Sequence, residues 1–478
     1  MKRFKFIGVI LLINMLSVCH VCAQETDIFE GIWLGDLKVN QDVSLRIAFE
    51  IKADGKTYSA TLNSIDQSAY GIPVETITIK DRSLMLNAAS LNCSYEGYLL
   101  VDGLMKGTFK QGGASLELNL HKVDRMPGKK VLRPQEPKKP YPYVEENVKY
   151  ENKEAGVSLA GTLTKPSKKG VFPAVVLISG SGANDRDELV FGHRVFLVLA
   201  DYLTRQGFAV LRFDDRGVGE STGDFSKATV FDMADDVIAG VEYLKGRSDI
   251  KKSQIGLIGH SLGGEIAPIA ASKSSDINYI VLMAGAGMSL EETIYLQCDA
   301  IYSSMGISKK AIDLNERINR GVFDIVRNTD NLELAKKKID KCISGFNKEI
   351  ETLSVEEQRL LSIKAPLDSK LYYQFLSPVM RVDLFVDPSL FLSKVTCPVL
   401  AINGSKDLQV LPQNLDLIET AVKSGGNNNV TIKLFKDKNH LFQTCKTGAV
   451  SEYKKIEETM CPSVQKYLSG WLNRIIGE

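Results

Sequence analysis

Charge of one sign, paired cysteines and long apolar runs are all scarce in this chain, and histidine is scarcer still. Lys and Arg number 59 against 58 Asp and Glu in 478 residues, a formal net charge of +1. No large basic field is present, so no nucleic-acid partner is expected. The apolar stretch Phe6 to Leu16 is too short to cross a bilayer comfortably, so no membrane span is expected. Cysteines stand singly, without the short paired spacings of a zinc site, and no metal is expected. The glycines around Ser181 are not followed by Gly-Lys-Ser/Thr, which argues against a phosphate-binding loop. With only five histidines, a general base can be sought by elimination.

What is present begins with a leader. Lys2, Arg3 and Lys5 precede the apolar stretch, and Val21-Cys22-Ala23 supplies small residues before a cut ahead of Gln24. This is the pattern of a secretory signal peptide over residues 1–23, so an exported, periplasmic or extracellular protein is expected. Lipoprotein anchoring at Cys19 or Cys22 is disfavoured, because valine precedes each. Removing the leader takes three basic residues and no acidic one, leaving a net charge of about −2. Six cysteines remain: Cys93, Cys298, Cys342, Cys397, Cys445 and Cys461. Export would permit disulfides, with Cys445–Cys461 or Cys298–Cys342 as candidate pairs, while Cys93 and Cys397 read as buried thiols.

Residues 28–122 show short alternating runs such as Val43 to Phe49, Glu75 to Ile79 and Leu116 to Leu120, separated by Asp54-Gly55, Asp102-Gly103 and Gly112-Gly113. Period-two alternation between turn dipeptides predicts an all-β sandwich or small barrel. A linker over residues 123–143 follows, where Pro127, Pro134, Pro137, Pro140 and Pro142 alternate with lysines as in a stiff solvated spacer. From 144 to 478, apolar strands alternate with amphipathic helices, the pattern of a mostly parallel sheet covered on both faces. Strands are expected at Ala174 to Ile178, Phe208 to Phe213, Ile255 to Ile258, Tyr279 to Met283, Val399 to Ile402 and Val430 to Phe435. The stretch from about 287 to 387 is too long for one crossover and reads as a helical cap.

Chemistry concentrates at Gly259-His260-Ser261-Leu262-Gly263, between an apolar strand and a small-residue helix. A serine at the apex of so sharp a turn needs glycines two residues either side, because the neighbours pack too closely for side chains. Ser261 is therefore the candidate nucleophile, and a serine hydroxyl needs a base. His121 lies in the β-domain, His193 opens a helical run, and His260 is directed by the turn away from the mouth. His440, in the loop after the final strand, remains. Asp407, just past the strand Val399 to Ile402 and 33 residues earlier, is the candidate orienting carboxylate, with Asp437 as a competitor on a solvated turn. Oxyanion donors are expected from the amides of Leu262 and Ser181, with Gly182 as the alternative to Ser181. Asp214-Asp215-Arg216 reads as an internal ion-pair turn. Arg186 either receives a substrate carboxylate or pairs with Asp185 or Asp187.

With Ser179-Gly180-Ser181-Gly182, Asp214 to Gly219, Gly259 to Gly264, Asn403-Gly404-Ser405-Lys406-Asp407 and Asn439-His440-Leu441-Phe442 in chain order, residues 144–478 resemble the α/β-hydrolase superfamily. The chain after the leader resembles secreted two-domain bacterial carboxylesterases with an N-terminal β-domain. The resemblance implies a Ser261–His440–Asp407 triad acting through an acyl-enzyme, without metal or organic cofactor, on a small-molecule ester that could be an acylated carbohydrate. It departs from the family at Ser179, where the first oxyanion loop commonly begins with histidine. A peptidase of the same fold is the enzyme alternative. An inert carbohydrate- or partner-binding protein is the other.

Overall fold

Alternation sets the first unit. In Ser83–Ala88 every second side chain turns inward, burying Leu84, Leu86 and Ala88. In this computed structural model, which describes residues 28–477 apart from 40–43, 55–56, 68 and 128–131, two five-stranded antiparallel sheets are built in this way. One contains His121–Val123, Gly31–Lys38, Ser44–Asp54, Thr57–Ser64 and Ala69–Val74; the other runs from Thr76–Lys80 to Ala114–Glu117. Single extended stretches serve both sheets at each seam. Within 69–80 the Glu75 amide donates to the Asn87 carbonyl at 2.9 Å, and within 114–123 the Leu118 amide donates to the Gly107 carbonyl at 2.9 Å. The result is a closed up-and-down barrel, which removes exposed sheet edges. Its interior is filled by Trp33, Phe49, Tyr95, Phe109 and the aliphatics around them. Gly112 and Gly113, at φ +55° and +85°, form the expected hairpin turn. Gly103, at φ +88°, does the same in the expected Asp102-Gly103 turn, whereas Gly55 of the third expected turn and the leader at 1–23 lie outside the described residues.

The chain divides into two compact units between Leu132 and Arg133, eleven residues before the expected end of the linker. The reason is side-chain anchoring that proline content does not reveal. Arg133 donates to the carbonyls of Gly192 (2.8 Å) and Ile456 (2.9 Å), and Gln135 donates to Met460 O at 2.6 Å while accepting from the Thr459 amide. Residues 133–143 are therefore part of the second unit rather than a solvated spacer.

That unit is an eight-stranded sheet: β1 Val144–Asn152, β2 Val157–Lys165, β3 Phe172–Ile178, β4 Ala209–Phe213, β5 Ile250–His260, β6 Tyr279–Met283, β7 Val399–Gly404 and β8 Val430–Phe435, in the order 1-2-4-3-5-6-7-8. All neighbours from β4 to β8 are parallel, whereas the β1–β2 hairpin is antiparallel and pairs antiparallel with β4. The hairpin is absent from the expected strands because β1 exposes a polar face and β2 carries the buried polar residues Thr162, Thr164 and Lys165, so neither reads as an apolar run.

Central strands are apolar on both faces because helices cover both. In β3, Ala174, Val176 and Ile178 face the helices Val230–Lys245, Gly263–Lys273 and Asn414–Ser424. Val175 and Leu177 face Val195–Arg205 and Pro462–Ile476. Each such aliphatic, fully buried, contributes about 1.5–3 kcal/mol. Between β6 and β7 lie the helices Leu290–Ser304, Lys309–Asn328 and Leu332–Ile350 and shorter segments to Asp383, packed around Phe323, Ile339 and Phe375 as a core of their own. This is the expected cap. Its two long inner helices are capped by Ser308 and Asn331, whose side chains accept the amides of Ala311 and Leu334.

The candidate disulfides Cys445–Cys461 and Cys298–Cys342 are not formed, since all six described cysteines are free, as Cys93 and Cys397 were expected to be. Cys445 Sγ lies 3.7 Å from the Asp437 carbonyl and Cys461 Sγ lies 3.2 Å from Ser463 Oγ, so the two thiols have separate partners. Among the described residues no helix is long and apolar enough to cross a membrane, and no cluster of His, Cys, Asp and Glu is placed to hold a metal.

Candidate active site

Strand β5 ends at His260 and the next residue turns sharply, with Ser261 at φ +54°, a left-handed conformation that serine adopts only under constraint. The constraint is crowding around the turn. A Cβ on Gly259 would lie 2.0 Å from the Gly263 carbonyl oxygen, and one on Gly263 would lie 2.1 Å from that of Ile178. The second contact presses the elbow onto the end of β3, so the following loop passes beside Ser261. A Cβ at Gly180 would stand 3.2 Å from Ser261 Cβ. The Ser261 amide donates to Met283 O at 2.9 Å, tying the elbow to β6.

Strands β7 and β8 present the other two side chains. Close approach at Gly404, where a Cβ would meet Lys438 O at 2.3 Å, brings the loop after β7 against the loop after β8. Asp407 Oδ1 accepts the amides of Gln409 (2.8 Å) and Val410 (3.0 Å), leaving Oδ2 to face His440 Nδ1 at 2.8 Å. A carboxylate can only accept, so Nδ1 carries the hydrogen and Nε2 keeps its lone pair. Buried Asn439 holds this loop, its Oδ1 accepting the amides of Leu441 and Gln443. Asp437 points elsewhere and pairs with Lys406 at 2.8 Å, a contact that holds its carboxyl below the usual range.

The remaining histidines are accounted for. His193 is buried between Thr459 Oγ1 and the Tyr453 carbonyl, and His121 is exposed on the barrel. His260 is also buried, with Nδ1 2.8 Å from Glu188 Oε1 and Nε2 3.0 Å from the His440 carbonyl oxygen. Its ring centroid stands 5.0 Å from that of His440, which sets His440 beside the elbow. Glu188 was not singled out from sequence. Nothing in a lone glutamate four residues past Asn184 marks it, and only its burial and partners do.

The loop after β3 has three amides with different fates. Gly180 N–H donates to Glu188 Oε1 at 2.9 Å, whereas those of Ser181 and Gly182 meet no acceptor among the described residues, and neither does that of Leu262. Asn184 braces the loop, its Nδ2 donating to the carbonyls of Gly180 (2.9 Å) and Gly182 (3.0 Å). Ser179 Oγ donates to Asp215, whose burial pushes its carboxyl up to about 7 against the pull of the Asn184 amide and Ser179. The side chain that departs from histidine at this position thus secures the next loop.

Arg186 is where the sequence expectation fails. It pairs with neither Asp185 nor Asp187 and is not free for a substrate carboxylate. Its guanidinium grips Asp214 through two bonds, at 3.1 and 2.6 Å, and donates to Thr162 Oγ1 at 3.0 Å. Arg216 likewise pairs with Asp236, which Asn152 also contacts at 2.8 Å. The Asp214-Asp215-Arg216 segment, expected to be an internal ion-pair turn, instead directs each charge to a partner elsewhere in the chain, Asp214 to Arg186, Asp215 to Ser179 and Asn184, and Arg216 to Asp236.

Comparison with known proteins places these features in context. Residues 193–305 match the family model described as serine aminopeptidase, S33. The chain is 28% identical over 295 residues to an esterase, EstD, of Thermotoga maritima, spanning 61% of this chain and 60% of that protein. It is 32% identical over 121 residues to an acyl transferase of Shewanella hanedai, covering 38% of that protein. The chain thus spans less than two thirds of the length of both relatives. Among solved structures, an esterase of Pyrococcus furiosus superposes over 70% of this chain and 93% of its own, with a TM-score of 0.41 and 17% identity.

Proposed function

From an α/β-hydrolase domain of carboxylesterase-like type, we propose that the protein is a serine hydrolase cleaving carboxylic esters of small molecules. The observation that carries this reading is the left-handed Ser261 at the end of β5, set beside a His440 whose Nδ1 is committed to Asp407. Ser261 Oγ attacks the ester carbonyl while His440 Nε2 takes its proton. Asp407 fixes the tautomer and stabilises the imidazolium. The developing oxyanion meets the amides of Leu262 and Ser181, whose N–H groups are not spent on other acceptors. His440 returns the proton to the leaving alcohol, and water then resolves the acyl-enzyme by the same route. No bond joins Ser261 Oγ to His440 among the described residues, and such bonds characteristically tighten on substrate binding.

Ser261→Ala is expected to lower kcat on a nitrophenyl acyl ester by about four to six orders of magnitude with the fold intact. Retention of most activity would overturn the assignment. The matched family description favours a second reading, peptide hydrolysis by the same residues. Parallel kinetics on acyl esters and aminoacyl anilides separate the two. Export is part of the proposal and rests on the sequence of residues 1–23. It is tested by N-terminal sequencing of the protein from its host, with Gln24 as the expected first residue.

A further inference from the structure

The mechanism above uses neither Glu188 nor His260, although they are among the most deeply buried ionisable side chains of the unit, 1% and 4% exposed. Both ring nitrogens of His260 face acceptors. The His440 carbonyl can only accept, so Nε2 carries a hydrogen. At the other end, Glu188 Oε1 already accepts the Gly180 amide at 2.9 Å while standing 2.8 Å from Nδ1. If that oxygen belongs to a carboxylate, Nδ1 carries a hydrogen as well and the ring is cationic.

We propose that Glu188 and His260 form a buried carboxylate–imidazolium pair that positions the oxyanion loop and the general base of the proposed esterase site on the nucleophile elbow. The pair spans three separate chain segments. Through Gly180 it holds the β3 loop against Ser261 and turns that amide away from substrate, which leaves Ser181, the next residue, to meet an oxyanion. Through His260 it is anchored in the elbow itself. Through the His440 carbonyl it fixes the backbone of the base, while Asp407 independently fixes the ring.

Two features set the pair apart from an ordinary core contact. Glu188 sits at φ +49°, a left-handed conformation unfavourable to a glutamate, and is held there by its amide on Asp185 O at 2.9 Å. Its Oε2 is buried with no partner among the described residues. An arrangement kept only for stability would satisfy that oxygen or replace the pair with apolar side chains, since buried ion pairs are weak stabilisers. Burial alone would depress ionisation of His260, yet the facing Glu188 charge and hydrogen bond carry its tendency to hold a proton above the ordinary value.

The inference rests on the esterase reading, and the test separates the two. In full-length protein with 15N-labelled histidine, the His260 ring, assigned by its loss in His260→Gln, should show both nitrogens protonated at pH 7.5. A singly protonated ring there overturns the proposal whether or not the protein is an esterase. Glu188→Gln keeps the shape without the charge and should lower kcat about tenfold to a hundredfold with KM unchanged, as for a catalytic group displaced by a fraction of an ångström. Glu188→Asp should recover part of that loss. Wild-type kcat in a folded Glu188→Gln protein would overturn the positioning role. If Ser261→Ala keeps its activity, the esterase reading falls, and the ring signature still reports the charge pair.

Discussion

The barrel and the hydrolase unit treat the same backbone restriction differently. Among the described residues of the barrel, the non-glycine residues at positive φ are Asp81 and Asn92, both in turns, and both of types that tolerate this conformation. In the hydrolase unit they include Ser261 and Ala284, directly after β5 and β6, and Glu188, which faces His260 of the elbow. Buried charge divides the same way. The barrel interior is Trp33, Phe49, Tyr95 and aliphatics, whereas the other unit buries Glu188, Asp214, Asp236, His260, Asp407 and His440. One region is built to be stable, and the other spends stability to hold polar groups in place.

That contrast can be broken by substitution, the largest effect coming at the site. Asp407→Asn should lower kcat by about 10⁴-fold, because the wrong histidine tautomer then faces Ser261. Thermal denaturation with a parallel activity assay checks that little stability is lost with it. Trp33→Ala, in a site 2% exposed, should cost the barrel about 3–5 kcal/mol and leave the kcat of the hydrolase unit near wild type. Calorimetry resolves the two transitions, and equal destabilisation of both would erase the distinction between the units. Ser261→Gly should sharpen it in the opposite sense. Relief of the φ +54° strain raises stability by about 1 kcal/mol while activity is abolished.

The smallest effect is a pH dependence of stability. Burial, with the charge of Asp383 adding to it, pushes the Glu265 carboxyl up to about 8. Between the ordinary glutamate range and pH 8 the folded protein holds a proton that the unfolded chain has released, so this group makes stability fall as pH rises through that window. Glu265→Gln should therefore match wild type in Tm at pH 4.5 and exceed it at pH 8.5. An equal Tm difference at both pH values would show that Glu265 is not the group responsible.

Several features were legible in the chain because they are local. The Gly259 and Gly263 spacing and the alternation of runs such as Glu75 to Ile79 each need only neighbours along the sequence. Other features were not legible. The β1–β2 hairpin hides behind the polar residues of both its strands, exposed in β1 and buried in β2, and residues 133–143 look like a spacer until Arg133 meets the carbonyls of Gly192 and Ile456. Arg186 has nearby aspartates on both sides in sequence and yet closes on Asp214, 28 residues away, whose two carboxylate oxygens each take one of its N–H groups, while Asp187 pairs with Arg194 and Arg212. The free cysteines belong to the same class, since a disulfide depends on distances that spacing does not encode.

By itself, then, the sequence determined the strand–turn–helix around Ser261, the order in which Asp407 and His440 follow it, and the change from an all-β unit to a mostly parallel sheet. These depend on backbone sterics and periodicity, which act over a few residues. Tertiary structure alone decided that Glu188 meets His260, that Gly180 rather than Ser181 surrenders its amide, and that Arg186 closes on Asp214. Each is a choice among chemically equivalent partners, and only the packing of distant segments brings one partner to hydrogen-bond distance while burying it from the water that would otherwise compete.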